Sequence, residues 1–486
     1  MRMFRHPKKW PSVQIVFIAV PLHHWHQETS LETLCAVPSI STPSIKTTPP
    51  SGETAMNDFA SPSVLQAMPV TSDELDLDEA PPAISDAMVY GDLFAKAFFS
   101  KKSNPHNRIK PEHLALAMRK IDAVSEREVV FDGRKMLMLS SNNYLGLASD
   151  VRLSEAGIQA IQEWGNSTSG SRLLNGTNEL HEELERKLAK FKQVESVVAF
   201  QSGYMANLGA ISALLSKDDI AIVDKLVHAS ILDGCTLAGA QVRSFKHQDM
   251  KSLERVLQDV GYKACKLIVV DGIYSMDGDF AKLPEIMALA RRYGARVMVD
   301  DAHATGVAGP NGRGTAEHFG INEPDVITGT LSKAFGCIGG FVGAKKDVMD
   351  FIKFNSRAFI YSTSISPSVT ASLIKALDII ENEQDKRKNL WACTHHLLSG
   401  LKALGFNTGV SETPIVPIIL GDEAQMFELV AMLDGDDIFA SPVAYPACPR
   451  NKPRVRISLS SEHTIADMDR VLEACGRHGR SMGLIH

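Results

Sequence analysis

The stretch from Val297 to Lys333 restricts this chain more than any other. Val297-Met298-Val299 is a short apolar run that ends abruptly in Asp300-Asp301-Ala302-His303, and a second run, Asp325 to Thr330, hands over to Leu331-Ser332-Lys333. Runs of this length and β-branched content predict buried parallel strands, and open α/β sheets take ligands beyond the carboxyl ends of such strands. One strand end thus offers an anion with a histidine beside it, and the next offers an amine. The bare pattern is equally served by a structural ion pair at the edge of a core, so the other strand ends have to be read with it.

The 486 residues leave room for two or three domains and a large core. Residues 1–85 are rich in Ser, Thr and Pro and carry the acidic run Ser72 to Glu79, so they are read as a disordered N-terminal tail. The basic and apolar start, Arg2 to Leu22, mimics a signal peptide. Gln14 and Pro21 interrupt it and no clear small-residue cleavage site follows, so it is read as a leader with Met56 as a candidate start. Residues 86–139 are expected to form helices, with Leu93, Phe94, Ala97 and Phe98 on one face and Leu114, Ala117, Met118 and Ile121 on another, followed by a hairpin turning at Asp132-Gly133. Over 140–365 strands and helices alternate at the spacing of βαβ units, which predicts a large domain with a mainly parallel sheet; 366–486 reads as a smaller α+β domain with strands at Ile415 to Leu420 and Arg454 to Leu459.

A composition of 44% hydrophobic and 22% charged residues with a net charge of -6 describes a soluble protein with no general affinity for nucleic acid and no integral membrane segment. The seven scattered cysteines, Cys35, Cys235, Cys265, Cys337, Cys393, Cys448 and Cys475, form no Cys-x-x-Cys, which fits reduced thiols in a cytoplasmic protein and no metal site.

Other strand ends offer further groups. Ser202-Gly203-Tyr204-Met205 follows the strand Ser196 to Ala199 and precedes a helix expected to begin near Asn207; small residues there leave N–H groups free for a phosphate. His228 follows the strand Ile220 to Val223 and is either a satisfied structural histidine or a flat ring that stacks on a ligand. Ser275 lies beyond the strand Leu267 to Asp271, while Asp277-Gly278 reads as turn chemistry only. Of Arg454 and Arg456, only one is expected to face a cleft and grip a carboxylate, against a solvated edge-strand charge.

Pyridoxal phosphate needs a lysine for its Schiff base, an acid to hold its pyridine nitrogen protonated and a helix N-terminus for its phosphate. Lys333, Asp300 and the Ser202 turn supply all three in the order usual for the aminotransferase-like fold. The motifs Asn142-Asn-Tyr-Leu-Gly146, Thr168 to Thr177, Ser202 to Asn207, Asp300-Asp-Ala-His303 with Gly312-Arg-Gly314, Thr330-Leu-Ser332-Lys333 and Tyr361-Ser-Thr363 together resemble the α-oxoamine synthase family of pyridoxal-phosphate enzymes, over about residues 105 to 475. The resemblance implies fold type I and a homodimer with shared active sites, whose substrates are an amino acid and an acyl thioester on coenzyme A or an acyl carrier protein. It implies Lys333 as the Schiff-base lysine and general base, Asp300 on the pyridine nitrogen, and His303 on the phenolic oxygen with Ser275 nearby. His228 would stack on the ring. Ser202, Gly203, Tyr204 and Met205, with Thr330 and Ser332, would lie around the phosphate, and Thr363 would reach the phosphate in the partner subunit. Arg456 would bind the amino-acid carboxylate, with Asn142 or Asn143 lining the pocket.

Within the family, Phe351 to Ser364, the run from Leu390-Trp391 and Glu412 to Pro417 resemble serine palmitoyltransferases, whereas Asp300 to Gly306 and Gly314 to His318 resemble 8-amino-7-oxononanoate synthases. The expectation is a serine palmitoyltransferase-like enzyme that makes a 3-keto long-chain base. The alternatives are an 8-amino-7-oxononanoate synthase or a 2-amino-3-ketobutyrate ligase using alanine or glycine, and, from another class, a silent partner subunit of a heterodimeric synthase. Asp436-Asp437 stand where these relatives commonly have a glycine.

Overall fold

The β-branched runs collect into one sheet because each is too apolar to face water on either side. The computed structural model describes residues 119–486 apart from 125, 126 and 323; the tail and the helices expected before residue 119 lie outside the described residues. The strands run across the sheet in the order Ser196–Phe200, Gly340–Ala344, Val326–Thr330, Arg296–Asp300, Lys266–Asp271, Ile220–Asp224, Gln241–Phe245. Six run the same way, and Gly340–Ala344 alone is antiparallel to both of its neighbours. Four strands are buried along their whole length, as expected when helices cover both faces.

The period of two within each strand divides the core. Val198, Val223, Val269, Met298 and Val342 pack on one side, and Ile222, Ile268, Val270, Val297 and Val299 on the other. Each such side chain contributes on the order of 1.5–3 kcal/mol on burial. The helices Val151–Trp164 and Glu179–Lys192 pack against Pro367–Asn382, whose start is set by Ser366 accepting from the Val369 N–H.

The hairpin Glu128–Phe131 and Arg134–Met138 turns at Asp132 (φ 48°) and Gly133 (φ 73°), a pair of positive φ values that matches the twist of two-residue hairpins. The C-terminal strand Ile438–Phe439 extends this hairpin by pairing parallel to Arg134–Met138. A separate three-stranded sheet has Arg454–Ser458 at its centre, between Ile415–Ile419 and Ser441–Val443. Asp437 adopts the left-handed φ of 58° that a glycine there would supply freely, and its carboxylate pairs with Arg134 at 2.6 Å.

Among the described residues one ion pair is fully buried on both sides. Lys192, on the last turn of its helix, meets Asp301 at 2.9 Å, and the second carboxylate oxygen accepts from Thr315 Oγ1 at 2.7 Å. Removing only the amine leaves a buried carboxylate uncompensated. Lys192→Met is expected to destabilise the fold by about 3–5 kcal/mol, read as a lower midpoint of urea unfolding at fixed protein concentration.

Candidate active site

Asp300 is the last residue of its strand and is buried. Its carboxylate accepts from the Ala302 N–H at 2.9 Å and from the Asn207 side-chain amide at 2.6 Å. Asn207 is itself clamped: Thr328 Oγ1 donates to its oxygen at 2.6 Å, and its amide donates to Ser230 Oγ at 2.9 Å. With its oxygen accepting from Asn207, the Ser230 hydroxyl donates its proton to His228 Nδ1 at 2.7 Å. Asp300 and His228 are thereby joined through two neutral side chains.

Asp271 closes the adjacent strand, opposite Asp300 in the ladder. It is buried and accepts from the His228 backbone N–H at 3.2 Å. Burial first, and then the charge of Asp300, push its carboxyl well above the ordinary carboxylate range. Sequence reading assigned Asp271 and Asn207 no role. Asp271 carries the same signal as Asp300, an apolar β-branched run ending in a carboxylate, whereas Asn207 entered only as the last residue of the Ser202 to Asn207 motif, near the expected helix start.

Lys333 follows the strand Val326–Thr330 through a turn in which Thr330 Oγ1 and Ser332 Oγ lie 2.7 Å apart and Thr330 donates to the Gly339 carbonyl at 3.1 Å. Burial, with a smaller contribution from Arg456, brings the Lys333 amine down to about 8 against the opposing pull of Asp300 and Asp271. His303 is buried, with Nδ1 2.7 Å from the Tyr144 hydroxyl; burial and the nearby Lys333, Arg456 and His228 hold it well below the usual histidine range. It is a neutral imidazole at pH 7.

The helix after the Ser196–Phe200 strand opens at Gly203, four residues before the expected start, because Ser202 caps it by accepting from the Met205 N–H. The Ala206 N–H goes to the Ser202 carbonyl. Met205 therefore spends its N–H on the cap, and Gly203 and Tyr204 hold the first two N–H groups of the helix. A Cβ on Gly203 would sit 2.8 Å from Thr330 Cβ, and one on Gly340 would sit 2.3 Å from the Ser202 carbonyl oxygen. Glycine at these two positions lets this helix end lie directly against Thr330 and the Gly340–Ala344 strand.

Arg454 and Arg456, two residues apart, point to the same side of their strand, contrary to the expectation that only one could. Both are buried on the central strand, at 1% and 7% exposure, so neither is a solvated edge charge. Arg454 binds Asp277 and the Met276 carbonyl, each at 2.9 Å, which gives Asp277 more than turn chemistry. Arg456 donates to the Ser275 carbonyl at 2.7 Å, to Ser458 Oγ at 2.5 Å and to Asn142 Oδ1 at 3.1 Å. Asn142 is thus the asparagine tied to the arginine, while Asn143 Oδ1 accepts from the Ala148 N–H in its own turn. Thr363 lies apart from these groups, exposed and bridged to Ser171. Among the described residues no cluster of three or more His, Cys, Asp or Glu could hold a metal ion, and no helix is long and apolar enough to cross a membrane.

A lysine, a carboxylate, a neutral histidine and an open helix N-terminus now stand around one end of the sheet. A family model described as aminotransferase class I and II matches residues 134–475. The chain belongs to that family. It is 45% identical to the 8-amino-7-oxononanoate synthase of Thermoanaerobacter pseudethanolicus over 367 residues, covering 75% of this chain and 93% of that one. It is 43% identical to the enzyme of the same name from Symbiobacterium thermophilum, covering 78% and 97%. The solved structure of Sphingomonas wittichii serine palmitoyltransferase superposes with a TM-score of 0.75 at 34% identity, covering 81% of this chain and all of that one. These similarities make the chain an α-oxoamine synthase, a pyridoxal-phosphate-dependent acyl-transferring enzyme. The residues present fit that cofactor, with a carboxylate, an amine and the N-terminus of the Gly203–Leu214 helix at one sheet end.

The lowered amine can be titrated directly. Acylation of Lys333 in the cofactor-free chain, followed by peptide mass spectrometry, is expected to rise through a midpoint near pH 8. Asp300→Asn removes a charge that favours the ammonium form, so its midpoint is expected lower still.

Proposed function

We propose that the enzyme condenses alanine with a seven-carbon acyl thioester carrying a terminal carboxylate, releasing the thiol and carbon dioxide to give 8-amino-7-oxononanoate. The observation that carries this reading is the 43–45% identity to enzymes of that name along at least 93% of their length. The product's own skeleton fixes the substrates: a methyl and an amine-bearing carbon are alanine without its carboxylate, and the remaining seven carbons are the acyl donor. This shifts the main expectation from serine and a long-chain donor to the alternative. The long-chain reading keeps support from the likeness to serine palmitoyltransferase structures at 34–36% identity.

In this reading Lys333, Asp300, His303, Ser275 and His228 hold the ring and its substituents. Ser202, Gly203, Tyr204, Met205, Thr330 and Ser332 surround the phosphate. Pyridoxal phosphate, when bound, supplies an electron sink for the pair left at the amino acid's Cα. Arg456 grips the carboxylate with its planar fork, beside Asn142. Lys333, with an amine near neutrality, takes the Cα proton. Cα then bonds to the thioester carbonyl carbon, the C–S bond breaks, the carboxylate leaves as carbon dioxide, and Lys333 returns a proton to Cα.

Two copies are inferred to share their sites, Thr363 of each reaching the phosphate held by the other. The support is an exposed apolar face around the Ser171–Thr363 bridge, where Leu174 is 85% and Tyr361 73% exposed. A cytoplasmic location fits the free cysteines among the described residues.

The deciding experiment follows thiol release by the holoenzyme with alanine, serine or glycine against pimeloyl and palmitoyl thioesters, on coenzyme A and on carrier protein. Turnover confined to alanine and the pimeloyl donor is expected; turnover confined to serine and palmitoyl-coenzyme A would replace this reading with the long-chain one. Lys333→Ala is expected to abolish release, and Arg456→Lys to raise the KM for the amino acid about 10- to 100-fold by losing the two-pronged grip.

A further inference from the structure

His303 has two ring nitrogens, and only one arrangement of its proton lets it donate toward the ligand side. The residue that decides this is Tyr144, in the turn Asn142–Gly146. Tyr144 is buried; its hydroxyl lies 2.7 Å from His303 Nδ1 and 3.4 Å from Asn142 Oδ1, and the Arg456 guanidinium, which can only donate to it, acts on it as well. The phenol has one proton to give. Asn142 Oδ1 already accepts from Arg456 at 3.1 Å and lies 3.4 Å from Ser458 Oγ, so the short contact to Nδ1 is the one that takes it. The two rings meet edge-on at 66°, which suits a bond near the plane of the imidazole. Burial raises the phenol to about 12 and keeps it a donor, while the imidazole is neutral.

We propose that Tyr144 is a positioning residue that sets the tautomer of His303, donating to Nδ1 so that the single ring proton stays on Nε2. In the reading above, that leaves His303 a hydrogen-bond donor for the phenolic oxygen of the cofactor. The same Asn142 oxygen ties this pair to Arg456, so the carboxylate grip and the proton position of His303 share one hydrogen-bonded chain. Tyr144 acts through His303 and touches neither substrate nor cofactor in this role.

The proposal rests on the proposed function for its consequence, but its central claim is read without cofactor. Nitrogen-15 NMR of histidine-labelled apoprotein, with the His303 signals assigned by their loss in His303→Gln, is expected to give the Nε2–H tautomer in the wild-type chain. Tyr144→Phe, which keeps the ring and removes the hydroxyl, is expected to give a mixture. An Nδ1–H tautomer in the wild-type spectrum would overturn the proposal without any variant, and an unchanged tautomer in Tyr144→Phe would overturn it as well. Turnover supplies the second arm: Tyr144→Phe is expected to lower kcat about tenfold alone and less than about twofold in the His303→Gln background. Equal losses in both backgrounds would mean a purely structural role. Absorbance of added pyridoxal phosphate tests the functional reading separately, so either can fail alone.

Discussion

Burying the Asp300 carboxylate at the end of a parallel strand is the constraint on which the rest of the site depends. A buried anion must be given donors, and here they come from one backbone N–H and from Asn207. Asn207 can serve only because Thr328 and Ser230 fix both ends of its amide. Ser230 in turn orients His228, so a requirement at one strand end propagates to a helix cap two strands away. The neighbouring Asp271 cannot carry a second full charge cheaply at that depth, and its carboxyl rises accordingly.

The same burial prepares the amine and the imidazole. Desolvation works against the charged form of any base, so it lowers both Lys333 and His303, while the carboxylates limit the fall at Lys333. Lys333 is left near neutrality, suited to taking and returning a proton, and His303 is left neutral. Arg456 contributes to both shifts from the other small sheet, which means that the charge balance of the large sheet's edge is completed by a strand more than a hundred residues later.

Cofactor chemistry and substrate choice are recorded differently in this chain. The cofactor groups are short motifs at strand ends, shared by relatives that make different products. The acyl donor depends on the shape of a cavity, which many scattered positions decide together, so identity along the whole length speaks more directly to it than any single motif. That is why local segments pointed both toward serine palmitoyltransferases and toward 8-amino-7-oxononanoate synthases, while sequence identity along the whole length favours the latter.

By itself the sequence determined most strands of the large sheet, Gln241–Phe245 excepted, the Asp132-Gly133 hairpin, and the strand-end placement of Asp300 and Lys333. Each of these is a local pattern, whether an apolar run, a turn dipeptide or a polar residue at a boundary. Only the tertiary structure decided that the Met205 N–H is used by the Ser202 cap, that Asn142 and not Asn143 meets Arg456, and that Arg454 is bound by Asp277. It alone brought Tyr144 to His303 and Lys192 to Asp301, pairs separated by more than a hundred residues. Hydrogen bonds of that kind leave no periodicity in the chain, because they are set by where the packed elements cross and not by the order of residues within any one of them.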